Sequence, residues 1–475
     1  METAVQITYL VSIVLFAVGF KRLARIRTSR SGNALAGSGM LIAIVAAIVE
    51  QGTIDLLWVG VGLAIGTAAG IVIVVRAKAT AMPEIVARFN GFGGGASALV
   101  AIALFWREIV EVGADAVAAV ELGATEAVTL VISVLVGAST FTGSVVAELK
   151  LRGTISGMPH IPVRWALMGL LGLGALALGG WTTFAVADPT LGSWLVLGVL
   201  AISLVIGVIL VVPIGGADMP VVISLLNSLS GVAAAATGFA LSHNLLIIAG
   251  TLVGAAGLIL TQIMCNAMNR SLTNVIAGEY GEDAPSEGED EYTNVVSSDA
   301  EEAVMVLEAA SSVVIVPGYG LAAARAQHAA ADFAEALQAR GVEVRFGIHP
   351  VAGRMPGHMN VVLAEADVPY ELLVEMDDIN RDFKRTDVVL VVGANDVVNP
   401  AARQSSGNPI SGMPILNVDQ AARVFVIKRS LSPGYAGMKN ELFEADNTVM
   451  LFGDARDMLH ELTGELEAAV PIEGD

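Results

Sequence analysis

Cysteine, charge and aromatic side chains are all scarce in this chain of 475 residues. Its single cysteine, Cys265, excludes a disulfide framework, a cysteine-ligated zinc cluster and a dithiol redox pair. Charged residues make up 15% and aromatic residues 5%, whereas 55% are hydrophobic, which excludes a purely soluble protein, a fibrous repeat and a disordered chain. There is no basic stripe to neutralise phosphates, so nucleic acid is excluded as a partner.

The charge that is present lies unevenly along the chain. The first 275 residues contain 13 Lys and Arg against 12 Asp and Glu, whereas the last 200 contain 13 against 34, so the net charge of −20 resides in the second part. We therefore predict a membrane domain over 1–275, an acidic linker over 276–302 and a soluble domain over 303–475. The acidity suits a high-salt cytoplasm, so a halophilic host is a hypothesis from charge alone.

Nine apolar runs before residue 270 match the length needed to cross a hydrocarbon layer of about 30 Å. Basic side chains follow the first, third and fifth runs and acidic ones follow the second, fourth and sixth, which places the N-terminus outside and the soluble domain in the cytoplasm. The first run is not a cleaved signal peptide, because its basic cluster follows it. The predicted spans are 4–20, 34–49, 54–75, 84–106, 128–147, 163–181, 191–213, 219–241 and 244–265.

Glycines recur in the third span at a spacing of four residues. Gly62, Gly66 and Gly70 would share one face of a helix, where they let a neighbouring backbone approach closely. We therefore expect a tight helix bundle, in which ordinary packing explains these glycines.

An internal repeat marks the fourth and eighth spans. Both begin with Met-Pro, at residues 82 and 219, and each carries an asparagine eight positions later, Asn90 and Asn227. A proline suits the first turn of a helix, and each asparagine then lies about 12 Å along its helix, near the bilayer midplane. Amides at that depth must be paired or hydrated, so they predict either a polar path or hydrogen bonds between helices. Asp218, just before the second repeat, is either a proton-collecting carboxylate or a helix N-cap.

Short β-branched runs alternate with helical stretches after residue 303, which predicts a Rossmann-like α/β domain with a parallel sheet. The first strand, 312–316, precedes a Gly-x-Gly-x-x-Ala turn over 318–323 and a helix that reaches about residue 340. This order is the dinucleotide fingerprint, in which glycines permit a tight turn and close approach of the backbone to a pyrophosphate; a purely structural turn is the alternative. The other predicted strands are 343–347, 387–392, 423–427 and 448–452.

The loop after the second strand, 347–358, favours NADP over NAD. It lacks the acid that would bind the ribose 2′-hydroxyl of NAD, and it offers a cation, Arg354, that suits a 2′-phosphate. The two histidines in this loop, His349 and His358, are interpreted as simple loop contacts.

Two later loops lie at strand ends, where parallel sheets form their ligand crevice. Lys428 and Arg429 are adjacent cations in a strongly acidic domain, which predicts phosphate binding. Asp396 either orients a ribose or amide or caps the helix that follows.

Seven ordered motifs together resemble the β subunit of the proton-translocating NAD(P) transhydrogenase family. The resemblance covers nearly the whole chain, and a chance match of so many blocks in order is implausible. The motifs are 316–322, 345–360, 393–400 with 412–414, 428–437 and 453–455 in the soluble domain, and 216–231 and 264–271 in the membrane domain.

The resemblance implies that hydride passes between NAD(H) on a partner α subunit and NADP(H) on this chain, coupled to inward proton flow across the cell membrane. It also implies a homodimer of αβ units in membrane lipid, a lid formed by 428–437, and NADP bound in the reverse of the usual Rossmann orientation. No metal is predicted. The proton path is assigned to Asn90, Asp218 and Asn227, and NADP contacts to Gly318, Tyr319, Gly320, Val351, Ala352, Gly353, Arg354, Met355, Pro356, Gly393, Ala394, Asn395, Asp396, Val397, Gly412, Met413, Lys428, Arg429, Ser430, Leu431, Ser432, Pro433, Gly434, Tyr435, Asp454 and Ala455.

This chain departs from the family at one position of the proton path. Many relatives carry a membrane histidine where this chain has Asn90, so the protonatable group is expected to be Asp218 or a residue of the partner subunit. Arg325 replaces a common glutamine and Glu441 a common proline, and neither change threatens the chemistry.

Two functions of other classes fit the sequence less well. A channel or transporter with a regulatory nucleotide-binding domain needs a selectivity filter or a substrate-sized polar cavity, and the spans show no filter sequence. A single-chain membrane dehydrogenase needs a second substrate site with its own acid or base. Hydride exchange between two nicotinamides needs no acid or base, because positioning and desolvation can suffice.

Overall fold

The computed structural model describes residues 2–23, 28–51, 56–107, 124–155, 161, 163–184, 189–278, 292–404, 408 and 410–468. The chain folds into two compact units. The first, which we call the membrane unit, consists of Met1–Gln262 with Ile276–Gly278, and the second, which we call the soluble unit, consists of Ile263–Val275 with Glu279–Asp475. Residues 279–291, about half of the acidic linker predicted over 276–302, lie outside the described residues.

Within the described ranges, nine helices are long and apolar enough to cross a membrane, which confirms the predicted helical bundle. Two of them, the fourth and the eighth, begin at Met82 and Met219 with proline in the first turn, as the repeat predicts. Proline is tolerated there because the first amides of a helix have no partner within it. The helices are α1 Glu2–Leu23, α2 Ser29–Gln51, α3 Leu56–Val75, α4 Met82–Phe105, α5 Ala124–Leu151, α6 Arg164–Phe184, α7 Pro189–Val211, α8 Met219–Ala240 and α9 Asn244–Ala267.

Helix α5 lies at the centre of this bundle, packed against α4, α7 and α8. Two thirds of its most apolar stretch is buried, more than in any other described span. Small residues allow these contacts: a Cβ on Gly94 would lie 2.8 Å from the Gly137 carbonyl oxygen of α5. Apolar side chains such as Phe105 and Val134 fill the space between α4, α5 and α7.

Among the described residues, nothing packs against the three glycines of α3, which were expected to have a packing role. Gly62, Gly66 and Gly70 have no atom within 4 Å of a Cβ placed on them, and the most apolar stretch of α3 is entirely unburied. A spacing of four selects a helix face, but it does not determine whether that face meets a neighbour. Close approach is found instead at positions such as Gly231 of α8, where a Cβ would lie 2.2 Å from the Gly254 amide nitrogen of α9.

The soluble unit contains a six-stranded, fully parallel sheet in the order β3-β2-β1-β4-β5-β6. The order reverses between β1 and β4, and in open α/β sheets ligands bind beside the carboxyl ends of the strands at such a point. The strands are β1 Ser312–Pro317, β2 Glu343–Ile348, β3 Leu373–Glu375, β4 Val388–Val392, β5 Arg423–Lys428 and β6 Thr448–Phe452. The remaining helices are α10 Leu272–Ala277, α11 Ala300–Glu308, α12 Tyr319–Ala323, α13 Gln327–Ala339, α14 His358–Glu365, α15 Met376–Ile379 and α16 Ala455–Ala468.

Two details of this unit differ from the sequence prediction. Strand β3 was missed because its three residues are too few to show a period. The single helix expected up to residue 340 is interrupted at Arg325, which adopts a left-handed φ of 54°. The Arg325 and Ala326 amides donate to the carbonyls of Ala322 and Leu321, so α12 closes with a C-terminal cap before α13 begins.

Substituting Gly231 with alanine tests the contact between α8 and α9. The new Cβ would overlap Gly254 backbone atoms, so the helices must separate, at a cost of about 1–3 kcal/mol. We expect Gly231→Ala to lower the Tm of the detergent-solubilised chain by several degrees. Gly66→Ala is the control, since it meets no atom and alanine favours a helix over glycine by about 1 kcal/mol. Equal Tm values for the two variants would contradict this packing.

Candidate functional site

The glycine turn after β1 packs directly against the loop that follows β4. The Gly318 amide donates to the Val392 carbonyl at 2.9 Å, and the Gly320 amide donates to the Gly393 carbonyl at 2.8 Å. A Cβ on Gly318 would lie 2.3 Å from the Ala394 Cα, so no side chain fits. The visible role of these glycines is therefore the structural one, since they let two loops meet at the switch point and two of their amides already have partners.

Two buried histidines shape the loop after β2. The His349 Nδ1 accepts from the Val351 amide at 3.2 Å, so its Nε2–H donates to the Pro414 carbonyl at 2.8 Å. The His358 Nδ1 accepts from the Arg354 amide at 3.0 Å. Burial lowers the pKa of each imidazole to about 4, so both are neutral at physiological pH. Both histidines are loop contacts, as interpreted from the sequence.

Two predicted nucleotide contacts, one from the glycine turn after β1 and one from the loop after β2, meet each other. The Arg354 guanidinium carbon lies 4.4 Å from the ring centroid of Tyr319, a cation–π contact. Tyr319 itself is 39% exposed at the start of α12, so the pair presents an aromatic and cationic surface to solvent.

Asp396 holds the segment 428–437, which we call the lid loop, on the end of β4. Its buried carboxylate accepts from the Ala436 amide at 3.3 Å, and a Cβ on Gly434 would lie 2.1 Å from the Asp396 Oδ2. Next to it, the Asn395 side-chain amide donates to the Ser432 carbonyl at 3.2 Å. Burial raises the pKa of the Asp396 carboxyl, and the lid amides oppose that shift. The sequence predicted a ribose ligand or a helix cap for Asp396, and it missed this contact because the lid is distant in sequence.

Lys428, the last residue of β5 and the first of the lid loop, places a positive charge beneath the rest of that loop. Its Nζ donates to the Ser432 carbonyl at 2.8 Å and lies 4.9 Å from the ring centroid of Phe443. Burial lowers the pKa of the Lys428 amine to about 8, while the charge of Asp396 opposes this shift. Arg429 beside it is exposed. The site therefore offers one half-buried and one solvent-facing cation, which suits a phosphate.

The remaining predicted contacts fall into two groups. Met413 meets the lid loop, because its sulfur accepts from the Tyr435 hydroxyl at 3.2 Å. Asp454 instead accepts from the Arg456 amide at 3.1 Å at the start of α16. The lid, the loop after β2 and the loop after β4 are thus joined by direct contacts, whereas Asp454 and Ala455 have a visible role only at a helix start.

In the membrane unit, Asn90 is the centre of a small polar site between three helices. Its Nδ2 donates to the Ser144 Oγ of α5 at 3.0 Å, and its Oδ1 accepts from the Ser230 Oγ of α8 at 2.9 Å. Farther along α5, the Ser133 Oγ lies 2.6 Å from the Thr237 Oγ1 of α8. These hydroxyls were not predicted, although their spacing on α5 offered a signal.

The other two residues of the predicted path lie in different surroundings. The Asn227 side chain is half-buried and makes no hydrogen bond to any described residue, so the two asparagines of the repeat are not equivalent. Asp218 is buried directly before α8, and its side chain accepts no capping hydrogen bond from the first turn. The helix-cap alternative for Asp218 is therefore not supported.

Similarity to known proteins identifies the family to which these features belong. Residues 5–465 match the family model described as NAD(P) transhydrogenase beta subunit. The chain belongs to this family. Two relatives, both called NAD(P) transhydrogenase subunit beta, come from Rhodospirillum rubrum and its strain ATCC 11170; each is 46% identical over 459 residues, or 96% of this chain and 97% of the relative. The resemblance stated from sequence motifs is confirmed.

Membership of the NAD(P) transhydrogenase beta subunit family makes this chain part of an oxidoreductase. Its membrane-capable helices agree with a membrane protein, and the beta designation implies an alpha partner. The family also implies the use of NADP(H) and NAD(H).

The charge of Lys428 can be tested by pH-dependent labelling of the full chain with an amine-specific reagent, read by mass spectrometry. Because burial favours the neutral amine, labelling should rise with a midpoint near pH 8. Asp396→Asn removes a charge that favours the protonated form, so it should move the midpoint to lower pH. Asp377→Asn is the control, because it removes the same charge at an exposed position outside the loops after β4 and β5. An unchanged midpoint in Asp396→Asn would show that the carboxylate does not act on Lys428.

Proposed function

We propose that this chain binds NADP(H) and translocates protons as part of an αβ transhydrogenase. Hydride passes between NADH on the α subunit and NADP⁺ on this chain, coupled to inward proton flow. The observation that supports this most is the lid loop, which packs on Asp396 at the switch point and encloses the Lys428 cation. Such a crevice suits a phosphate-bearing dinucleotide.

The residues at the sheet edge fit NADP(H). Lys428 and Arg429 supply positive charge for a 2′-phosphate, and the Arg354–Tyr319 pair offers an aromatic and cationic surface. When bound, the nicotinamide supplies the hydride acceptor or donor. The protein's part is to position this ring and to exclude water, and the lid loop is suited to the second task.

Lid closure is linked, in this proposal, to the ionisation of Asp396. Ionised carboxylates accept hydrogen bonds from amides more strongly than protonated ones do. Because burial raises the Asp396 pKa, a fall in pH protonates this side chain sooner than an exposed aspartate, and the lid loop is then held less firmly. A proton taken up at Asp396 would thus favour nucleotide exchange.

The proton path is proposed to run through the membrane unit by way of Asn90, Asp218 and Asn227. Asn90 joins three helices through hydroxyl groups, which can pass protons only with the help of water or a titratable neighbour. We further propose an outside N-terminus, a cytoplasmic soluble domain, a dimer of αβ units in membrane lipid, and no activity without the α subunit.

Reconstitution with an α subunit tests the proposed function. The chain and its partner are assembled in lipid vesicles, and reduction of an NAD analogue by NADPH is followed together with lumen pH. We expect both activities with the partner and neither without it. A correctly assembled complex that shows neither activity would refute the transhydrogenase function.

Lys428→Gln should weaken NADP binding to the full chain by about tenfold to a hundredfold, because it removes a charge-assisted contact of roughly 1.5–3 kcal/mol. Wild-type affinity should also fall as pH rises through about 8, where Lys428 loses its charge, and the variant should lack this step. Titration calorimetry measures both effects. Lys384→Gln, at an exposed lysine, is the control. A variant that binds NADP like wild type would remove Lys428 from the site.

Asn90→Leu and Asn227→Leu should each abolish proton transport in the vesicles while leaving NADP binding to the full chain unchanged. Leucine is similar in size but removes the amide, so the polar path is interrupted. Thr129→Val on α5 is the control, since this hydroxyl bonds only carbonyls of its own helix. If proton transport survives in Asn227→Leu, the unpaired asparagine lies off the path.

A further inference from the structure

A network of charged side chains joins α4 and α5 at the ends that the loop charges assign to the cytoplasm. The Glu148 side chain is only 9% exposed. The Arg88 Nε donates to both of its carboxylate oxygens at 3.1 Å, and the Arg88 Nη2 contacts it as well. The Arg152 Nη2 lies 2.7 Å from Glu148, and the Arg152 Nε lies 3.4 Å from Glu84. A carboxylate this buried is retained only because it is paired.

This network lies one helical turn from the Asn90 site. Arg88 precedes Asn90 by two residues on α4, and Glu148 follows Ser144 by four residues on α5, which places Glu148 and Ser144 on the same face. The Asn90 amide and the Ser144 hydroxyl are themselves hydrogen-bonded at 3.0 Å. Amides and hydroxyls do not serve as acid–base groups in proteins, whereas carboxylates do, and Glu148 is the carboxylate next to this pair on α5.

The same face of α5 is polar beyond Ser144. Thr140, a further turn away, is fully buried, and its hydroxyl has no hydrogen-bond partner among the described residues. Ser133 continues the face and contacts Thr237 of α8. Ser133, Thr140, Ser144 and Glu148 therefore place four polar side chains along one face of α5 inside the bundle.

We propose that Glu148, held by Arg88, is the carboxylate that exchanges protons between the Asn90 site and the cytoplasm. This inference rests on the proposed proton translocation. The proton leaves a hydronium ion beside Ser144, so one O–H bond of that ion breaks as an O–H bond to a Glu148 oxygen forms, and the ionic hydrogen bonds to Arg88 weaken. The same proton then leaves to cytoplasmic water, and the ion pair forms again. Only O–H bonds are made and broken, and no electron is transferred.

Two cations and one further acid set the charge around this carboxylate. Arg88 and Arg152 both contact this carboxylate, while Glu84 shares Arg152 with it. The nearby Lys150 is directed elsewhere, since its Nζ donates to the Ile214 carbonyl at 2.8 Å. The carboxylate is therefore held by Arg88 of α4 and by Arg152 just beyond the end of α5, so the exchange of a proton at Glu148 must loosen these two contacts.

Glu148→Gln tests the proposal in vesicles that contain the assembled αβ complex. Glutamine keeps the size and one acceptor oxygen but cannot take up a proton, so proton transport should fall by at least about a hundredfold. NADP binding should remain that of wild type. Glu84→Gln is the matched control, because it neutralises the other carboxylate of the network and should retain most of the transport rate.

A second variant separates proton exchange from simple stapling of α4 to α5. Glu148→Asp keeps a titratable group, so it should transport protons with a pH profile shifted from that of wild type. The inference is overturned if wild type transports protons and Glu148→Gln matches its rate and pH profile. It is also overturned if Glu148→Asp folds with the wild-type profile, or if Glu84→Gln loses as much transport as Glu148→Gln. If the wild-type complex transfers hydride without moving protons, the proposed function itself fails.

Discussion

A polar or charged group taken out of water must find a partner, and both units of this protein are organised around that requirement. In the membrane unit, the Asn90 amide is satisfied by hydroxyls from two other helices, and Glu148 by two arginines. In the soluble unit, the buried Asp396 carboxylate is satisfied by amides of the lid loop. In the proposed function each of these contacts also fixes where a proton or a phosphate is held, so the same groups would serve both stability and function.

The uneven charge of the chain follows the same principle. Within the described membrane helices charges are few, and three buried ones have polar partners: Glu148 contacts two arginines, whereas Lys150 and Arg164 donate to backbone carbonyls. An isolated charge in hydrocarbon would be expensive. The soluble unit can carry many acids on its surface, since water solvates them. The cation most affected by its surroundings is Lys428, because burial lowers the pKa of its amine to about 8. A small change in its surroundings would therefore alter the charge of this side chain near neutral pH.

Most of the architecture was predictable, because hydropathy and β-branched runs are local signals. The nine membrane-capable helices found in the described ranges, the parallel sheet and the Met-Pro helix starts all follow from patterns within short windows. Strand β3 was missed because three residues show no period, and the break at Arg325 was missed because nothing in the local pattern demanded a left-handed residue. The glycines of α3 were assigned to packing that the described part of the chain does not provide.

The sequence by itself determined the division into an apolar and an acidic part and the family, and it supplied the candidate residues at the strand ends, since composition and motifs need no coordinates. The tertiary structure alone decided that Asp396 holds the lid loop, that Asn90 and Asn227 differ, and that Arg88 pairs with Glu148. The contacts of Asp396 with Ala436 and of Arg88 with Glu148 join residues that are 40 and 60 positions apart. The side-chain hydrogen bonds of Asn90 have no counterpart at Asn227 among the described residues. Sequence spacing carries no information about such pairs, because they depend on which helix and loop faces meet after folding.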